Sequence, residues 1–299
     1  AETYRHNLGD HIYNEDITTF DKTKIADSKA PIMIGGSPCQ GFSAANRSTN
    51  FLDNPNNKLV LEYIEAVKAN PHCQVFVLEN VPQILTAGDG QFKEEIYEAL
   101  SEFQITSGVL NSVDYGAAQS RRRAIFIGSK IGKIELPDVY RTPFFYKTVK
   151  EALDGLSDDI PNQLDVSKGR KDTVERMSFV PQGGNWENIP DEYKTKKMFS
   201  GNTHSSVYRR LDENKPSITV TNPRKSLIMP PNENRILSVR ECARLFGVPD
   251  TFEFKGSLAS KQQQICNAVP VDLSRAIAEK VKSAYRRLLS HTRKNLKAI

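Results

Sequence analysis

The stretch "APIMIGGSPCQ" (residues 30–40) passes from an apolar run through two glycines to a cysteine that follows a proline. A short apolar run bounded by turn-forming residues is typical of a buried strand. In open α/β sheets, ligands bind beyond the carboxyl ends of the strands. Cys39 therefore lies where such a fold would present a nucleophile, and a small core residue beside a turn is the alternative.

Apolar runs alternate with helical patterns around this stretch, up to about residue 140. The runs at 74–81 and 122–129 predict two more strands, and residues 59–70 and 92–103 predict helices. This alternation is typical of βαβ units in a mostly parallel, doubly wound sheet. We therefore expect an α/β fold whose first domain covers residues 1–143.

A second, less regular region follows. Between residues 144 and 261, proline, glycine and asparagine interrupt the apolar periodicity, which predicts a smaller, irregular domain. A helical pattern over 270–289 comes next, with Ile277, Val281 and Leu288 at helical spacing. We expect residues 262–299 to return to the first domain and pack on it.

The composition is that of an ordinary globular protein, with 299 residues of which 38% are hydrophobic and 26% charged. No run approaches 18 consecutive apolar residues, which predicts no membrane span and favours an intracellular protein. The four cysteines form no C-x-x-C pair and the five histidines show no H-x-x-x-H spacing, so neither a disulfide framework nor a zinc site is indicated. The net charge of +5 fits a polyanionic partner without requiring one.

Glu79 follows the apolar run at residues 75–78 and so lies at the end of a predicted strand, as Cys39 does. Burial among apolar side chains would raise the pKa of this carboxyl group and let it hold a proton near neutral pH. A helix-capping or salt-bridged carboxylate is the alternative for a single glutamate. A thiol and a carboxyl group at neighbouring strand ends form a plausible catalytic pair.

Arginines in "QSRRR" (residues 119–123) begin the strand predicted at 122–129. Residues two apart on a strand point to the same face, so Arg121 and Arg123 should share a face from which Arg122 points away. These cations would lie beside the predicted nucleophile. An edge strand protected by charge is the alternative.

These segments together resemble the C5-cytosine DNA methyltransferases. "GGSPCQGFS" is similar to the nucleophile motif of that family, "LENV" to its glutamate motif and "QSRRR" to its Gln-x-Arg-x-Arg motif. The segments "RILSVRECARLFGVPDTFEF" (235–254) and "QICNAVPVDLSRAIA" (264–278) are similar to two motifs that follow the target recognition domain. The resemblance implies a Rossmann-like methyltransferase domain with a smaller target recognition domain.

The resemblance implies a role for each of four residues. Cys39 would be the thiolate that adds to carbon 6 of cytosine, and Arg121 would stabilise that thiolate. Glu79 would donate a proton to N3 of the base, and Arg123 would bind its O2. Because these ring atoms are buried in a stacked duplex, the resemblance also implies that the target base is flipped out.

The cofactor implied by the resemblance is S-adenosylmethionine, which becomes S-adenosylhomocysteine. The positions that match cofactor-binding residues of the family are Asp16, Ile17, Pro38, Leu59, Asn267 and Val269. Cys266 stands where the family usually has glycine. No F-x-G-x-G-G segment occurs, so either a second polypeptide carries the first strand and glycine loop, or the chain is a fragment, or the printed sequence omits them. We expect the 299 residues alone to bind the cofactor weakly and to transfer no methyl group.

Double-stranded DNA is the partner that the resemblance implies. The residues expected to contact it are Ser43, Arg209, Arg210, Thr219, Arg224 and Lys225. Two alternatives remain, a non-catalytic DNA-binding subunit of a split enzyme and a transfer-RNA cytosine methyltransferase of the same superfamily. The resemblance further implies a bacterial or phage restriction–modification enzyme that works in the cytoplasm at the nucleoid.

Overall fold

The computed structural model describes residues 1–37 and 58–296, with side chains as far as residue 290. Contacts divide the chain into two compact units. The helix unit comprises Ala1–Tyr13, Ser112–Arg121 and Val139–Ser274, and the sheet unit comprises Asn14–Asn111, Arg122–Asp138 and Arg275–Ile299. Pro38, Cys39 and Ser43 lie outside the described residues.

Both units are discontinuous in sequence, and their bounds differ from the domains expected over 1–143 and 144–261 with 262–299 returning to the first, which stay a prediction. The first helix joins the helix unit because Asn7 donates to the carbonyl of Glu253 at 2.8 Å and Thr3 accepts from the amide of Lys255 at 2.9 Å. Residues 118–120 join it because their backbone pairs with Ser217. Such contacts between distant segments leave no mark in the local pattern of a sequence.

Four described strands form one mixed sheet in the order β1-β2-β4-β3. They are β1 (Ile32–Gly35), β2 (Val75–Asn80), β3 (Gln104–Asn111) and β4 (Arg122–Ser129). β1 and β2 pair in parallel, whereas β4 is antiparallel to both β2 and β3. The connection from Asn111 to Arg122 is too short for a crossover, which takes about a dozen residues or more. The described strands thus depart from the mostly parallel pairing that the alternation suggested.

Helices occupy most of the remaining regular structure. In the sheet unit lie α2 (Thr23–Asp27), α3 (Lys58–Lys68), α4 (Gln91–Ala99) and most of α11 (Val271–Leu296). In the helix unit lie α1 (Glu2–Leu8), α5 (Val149–Leu153), α6 (Lys171–Ser178), α7 (Lys196–Phe199), α8 (Pro223–Ser226), α9 (Val239–Leu245) and α10 (Leu258–Asn267). Within the described ranges, every helix is too short or too polar to cross a lipid bilayer.

The core of the sheet unit forms around β2. Its residues 75–78 are all buried, and Phe76 and Leu78 pack with apolar side chains of α3 and α4. On α11, Ile277 and Val281 are buried as their spacing predicts. Leu288 is 39% exposed, so the expected packing stripe ends before it.

Buried arginines satisfy backbone carbonyl groups in the helix unit. The wholly buried side chain of Arg240 donates to the carbonyls of Pro161 (2.8 Å), Pro249 (2.9 Å) and Phe252 (2.5 Å). Irregular segments leave carbonyls without partners in a helix or sheet, and a guanidinium group offers five donors. Arg240 therefore replaces part of the hydrogen bonding that regular structure would supply.

The end of β1 requires a residue without a side chain. The ring of Tyr63 lies over Gly35, and its hydroxyl donates to the carbonyls of Met33 (3.2 Å) and Val77 (2.9 Å). A Cβ at residue 35 would lie 2.3 Å from Cε2 of Tyr63. Tyr63 thereby links β1 to β2 at the end of the sheet that leads to Cys39.

We expect Gly35→Ala to lower the free energy of unfolding by about 1–3 kcal/mol, because the added methyl group overpacks the contact with Tyr63. Urea denaturation followed by circular dichroism measures the change. Gly169→Ala is the matched control, because the atoms nearest to its Cβ would be side-chain carbons of Val174 and Thr173 at 3.2 Å or more. Equal stability of Gly35→Ala and the parent protein would contradict the close packing at Gly35.

Candidate active site

The carboxyl ends of β1 and β2 lie side by side, as expected for the segments that carry Cys39 and Glu79. Gly35 is the register partner of Leu78 in this parallel pair. The buried amide of Asn80 donates to the carbonyl of Ser37 at 3.3 Å. Asn80 thus holds the chain two residues before Cys39, which itself is outside the described residues.

Glu79 forms an ion pair with Arg123. Oε1 of Glu79 lies 2.7 Å from Nε of Arg123, and the two side chains are 18% and 13% exposed. The antiparallel register pairs Asn80 with Ala124, so the first residues of β4 lie beside the last residues of β2. If β4 ran parallel to β2, its first residues would lie beside the first residues of β2, at the other end of the strands.

Burial and charge act in opposite directions at this pair. Desolvation lowers the pKa of Arg123, and the neighbouring carboxylate of Glu79 raises it. The cation in turn favours the ionised form of Glu79, an effect opposite in sign to the desolvation that the sequence suggested. Glu79 thus forms the salt bridge that the sequence left as the alternative for it. Its partner, Arg123, is a residue that the sequence also predicted for the site.

Gly36 leaves space for the carboxylate of Glu79. A Cβ at residue 36 would lie 3.0 Å from Oε2 of Glu79. In the sequence, the glycine pair indicates only a turn, and Asn80 carries no motif of its own. Their position is the one signal that could have identified them, because Gly36 precedes the predicted nucleophile and Asn80 follows the predicted acid.

Arg121 belongs to the helix unit and is buried there. Its Nη2 donates to the carbonyl of Cys266 at 2.8 Å, and its guanidinium carbon lies 5.3 Å from the ring centre of Phe246. The carbonyl belongs to the last turn of α10, where the helix dipole favours a cation. Arg122 is exposed whereas Arg121 and Arg123 are not, in keeping with the expected alternation. The proposed role of Arg121 toward Cys39 stays a prediction.

Residues 118–120 are bonded to residues 217–220, directly before Arg121. The amide of Ser217 donates to the carbonyl of Ala118, and that of Ser120 donates to the carbonyl of Ser217, both at 2.8 Å. The wholly buried Gln119 accepts from the amide of Val220 at 3.0 Å. In the sequence, Gln119 is only the first residue of the Gln-x-Arg-x-Arg motif, and its partner Val220 is far from it along the chain.

The residues matched to the cofactor are distributed over both units. Asp16, Ile17 and Leu59 belong to the sheet unit, and Asn267 and Val269 to the helix unit. The carboxylate of Asp16 accepts from the amide (2.9 Å) and hydroxyl (2.8 Å) of Thr18, and these bonds lower its pKa. Asn267 ends α10 and accepts from Gln263 at 2.9 Å. The structure describes each of these side chains without testing the cofactor role.

Cys266 has a structural environment. Its thiol donates to the carbonyl of Gln262 at 2.9 Å, and burial raises its pKa to about 11 although the cation of Arg121 acts in the opposite direction. A thiol with such a pKa stays protonated near neutral pH. Cys266 therefore fills the place of the usual glycine without becoming a second nucleophile.

Arg210 corrects the list of expected DNA contacts. Its side chain is buried and donates to the carbonyls of Val180 (2.6 Å), Met177 (2.8 Å) and Glu233 (2.7 Å). A guanidinium group so placed is not available to a phosphate group. The phosphate role expected for Arg210 is therefore wrong. A cluster of basic residues in a sequence does not show which of them are exposed and which are buried.

The other expected DNA contacts have varied environments. Arg224 and Lys225 are exposed on the short helix α8, and Arg209 is half-buried. The hydroxyl of Thr219 donates to the carbonyl of Ser120 at 2.7 Å. Contact of this hydroxyl with a phosphate oxygen would require its hydrogen to leave Ser120.

We expect Arg210→Ala to lower the free energy of unfolding by about 3 kcal/mol or more, because several buried carbonyls lose their donor. The double variant Arg224→Ala/Lys225→Ala should leave stability unchanged and weaken DNA binding. Thermal unfolding and fluorescence anisotropy with labelled duplex measure the two effects. A fully stable Arg210→Ala protein with weakened DNA binding would restore the phosphate role.

Comparison with known proteins identifies a family. A model of the family described as C-5 cytosine-specific DNA methylase matches residues 1–283. The type II methyltransferase M1.HphI of Haemophilus parahaemolyticus is 36% identical over 297 residues, which cover 94% of this chain and 77% of that protein. The type II methyltransferase M.Eco47II of Escherichia coli is 32% identical over 299 residues, which cover 94% and 70%. The match confirms the resemblance found in the motifs.

Solved structures agree on the fold. A DNA modification methyltransferase encoded within an E. coli prophage has a TM-score of 0.70 at 22% identity, covering 95% of this chain and 89% of that one. The S. pombe Dnmt2 methyltransferase has a TM-score of 0.63 at 14% identity, covering 94% and 86%. At such identities the likeness concerns the fold alone. It confirms the expected α/β, Rossmann-like fold class.

Proposed function

This chain belongs to the C-5 cytosine-specific DNA methylase family, and we propose that Glu79 and Arg123 bind the cytosine whose carbon 5 it methylates. It is a DNA (cytosine-5-)-methyltransferase whose named relatives are type II methyltransferases. The observation that carries the residue assignment is the 2.7 Å ion pair at the end of β2. It places an acid and a cation together beside the segment that leads to Cys39.

The proposed reaction begins with covalent addition. Carbon 5 of cytosine is a poor nucleophile, and the thiolate of Cys39 forms a bond to carbon 6 so that the ring electrons shift toward N3 and carbon 5. S-adenosylmethionine, when bound, supplies the methyl group. After methyl transfer a base removes the proton on carbon 5, and the electrons of that bond re-form the double bond as the thiolate leaves.

Glu79 and Arg123 act on the charge that develops in the ring. Glu79 donates a proton to N3, and Arg123 donates to O2. Arg123 binds Glu79 through Nε and the carbonyl of Arg122 through Nη1 at 2.8 Å. A guanidinium group offers five N–H donors, so these two contacts do not exhaust those that could bind the substrate oxygen. A substrate that draws Arg123 toward O2 weakens its hold on the carboxylate, which makes it easier for Glu79 to carry the proton that N3 needs.

The described residues that match cofactor-binding positions have side chains that fit the cofactor implied by the family. Asp16 is ionised and exposed, and it retains an oxygen that can accept from an exocyclic amine. Ile17 and Leu59 are half-buried apolar residues suited to an adenine face. With Pro38, Asn267 and Val269 they are the residues proposed to hold S-adenosylmethionine. The partner polypeptide with the first strand and glycine loop stays a prediction.

Double-stranded DNA is the proposed partner, and the base is flipped out at a cost of a few kcal/mol. Arg209, Arg224, Lys225, Thr219 and Ser43 are the proposed DNA contacts, with Arg210 excluded by its burial. The identity to type II methyltransferases favours DNA over transfer RNA and a catalyst over a non-catalytic subunit. A cytoplasmic, nucleoid-associated location remains part of the proposal.

Covalent trapping tests the role of Cys39. Duplex DNA with 5-fluorocytosine at the target should form a stable adduct in the presence of cofactor, because the fluorine on carbon 5 cannot leave as a proton does. Denaturing gel electrophoresis detects the adduct as a shifted band. Cys39→Ser should abolish it, with Cys73→Ser as the control at a buried cysteine of the sheet unit. An adduct that persists in Cys39→Ser would refute the assignment.

Glu79→Gln tests the proton donor. We expect kcat to fall about 10²-fold or more while the Kd for duplex DNA changes little, because the variant loses a general acid rather than a backbone contact. Transfer of labelled methyl groups at saturating DNA gives kcat, and anisotropy gives Kd. Arg123→Lys keeps the charge and loses the planar donor, so it should fall between Glu79→Gln and the parent. Nearly parental turnover of Glu79→Gln at neutral pH would end the proton-donor proposal.

A further inference from the structure

An aromatic and basic segment of the helix unit plays no part in the methyl transfer described above. Residues 139–150 contain four aromatic and three basic residues and no acidic one. They include the short 3-10 helix Pro143–Phe145 and the first residues of α5. We call residues 139–150 the aromatic platform.

Three of the four aromatic side chains of the platform are exposed, and Tyr146 is half-buried. Phe144 is 89% exposed, Phe145 62% and Tyr140 59%. The rings of Phe144 and Phe145 meet edge to face with centres 5.1 Å apart. Single exposed apolar residues are ordinary, but a contiguous apolar patch marks an interaction surface.

The backbone that carries these rings is anchored on both sides. Before the phenylalanines, the amide of Arg141 donates to the carbonyl of Asp114 at 3.0 Å. After them, the hydroxyl of Tyr146 donates to the carboxylate of Asp114 at 2.5 Å. The amide of Val149 then donates to the carbonyl of Lys215 at 2.9 Å. The rings are therefore held outward by fixed backbone.

The charge of the platform is positive. Arg141, Lys147 and Lys150 are exposed, and Nη1 of Arg141 lies 3.5 Å from the carbonyl oxygen of Phe145, beside the rings. The acids that flank the platform in sequence both have partners. Asp138 forms an ion pair with Lys280 at 2.7 Å, and the carboxylate of Glu151 accepts from the amide (2.7 Å) and hydroxyl (3.0 Å) of Thr148 in a capping box. Exposed rings among cations are complementary to a polyanion that also presents apolar sugar faces.

We propose that the aromatic platform is a second DNA contact, in which Phe144 and Phe145 pack against backbone sugars while Arg141, Lys147 and Lys150 contact phosphates. The proposal rests on DNA being the substrate of the proposed function. A contact of this kind adds affinity without reading sequence, because sugars and phosphates are common to all sequences. It therefore acts on target and unrelated duplexes alike.

Two double variants separate the apolar and charged parts of the contact. Phe144→Ala/Phe145→Ala should weaken binding of target and unrelated duplexes about tenfold with an unchanged salt dependence. Lys147→Ala/Lys150→Ala should reduce the slope of log K against log salt by about one per lysine. Anisotropy titrations at several salt concentrations measure both. The kcat at saturating DNA should stay at the parental value in both variants.

Phe199→Ala is the matched control, because Phe199 is 61% exposed on α7 and should leave binding unchanged. Parental affinity and salt slope in both double variants would overturn the proposal. It would also be overturned if sedimentation showed a dimer of the parent that Phe144→Ala/Phe145→Ala loses, since the platform would then join two copies. Methyl transfer by the parent is measured separately, so a failure of the proposed function is distinguishable from a failure of the platform.

Discussion

The antiparallel pairing of β2 with β4 is the constraint on which the candidate site depends. It brings the first residues of β4 beside the last residues of β2, so Arg123 meets Glu79 at 2.7 Å. The parallel pairing of β1 with β2 brings the residues that precede Cys39 to the same end of the strands. Glu79, Arg123 and the residues that precede Cys39 thus lie close together because one strand pair is parallel and the next is antiparallel.

Close packing fixes the carboxyl ends of β1 and β2. The ring of Tyr63 occupies the space that a side chain at Gly35 would need, and Gly36 leaves room for the carboxylate of Glu79. Asn80 donates to the carbonyl of Ser37. Two glycines and one amide therefore fix the position of the chain that leads to Cys39. Gly35 packs against Tyr63 of α3, whereas Gly36 and Asn80 act through contacts between the ends of β1 and β2.

Arginines in this chain serve two different physical purposes. Arg210 and Arg240 are buried and donate to backbone carbonyls of the helix unit, where little regular structure exists to satisfy them. Arg141 and Arg224 are exposed, as a contact with a polyanion requires. Arg121, in the motif at 119–123, is of the buried kind and donates to the carbonyl of Cys266 in the helix unit. Arg123 is of neither kind, because it is largely buried and pairs with Glu79 in the sheet unit.

The sequence by itself determined the α/β class and the family, and it predicted a thiol and a carboxyl group at neighbouring strand ends, because apolar runs and short motifs are local patterns. It predicted desolvation at Glu79 and left a salt bridge as the alternative without naming Arg123 as the partner, since the partner of a carboxylate depends on which strands pair and in which direction. It also mistook Arg210 for a surface cation. Only the tertiary structure decided these points, because burial and contacts between distant segments arise when the chain folds. An arginine in the sequence is the same residue whether its side chain ends buried or exposed.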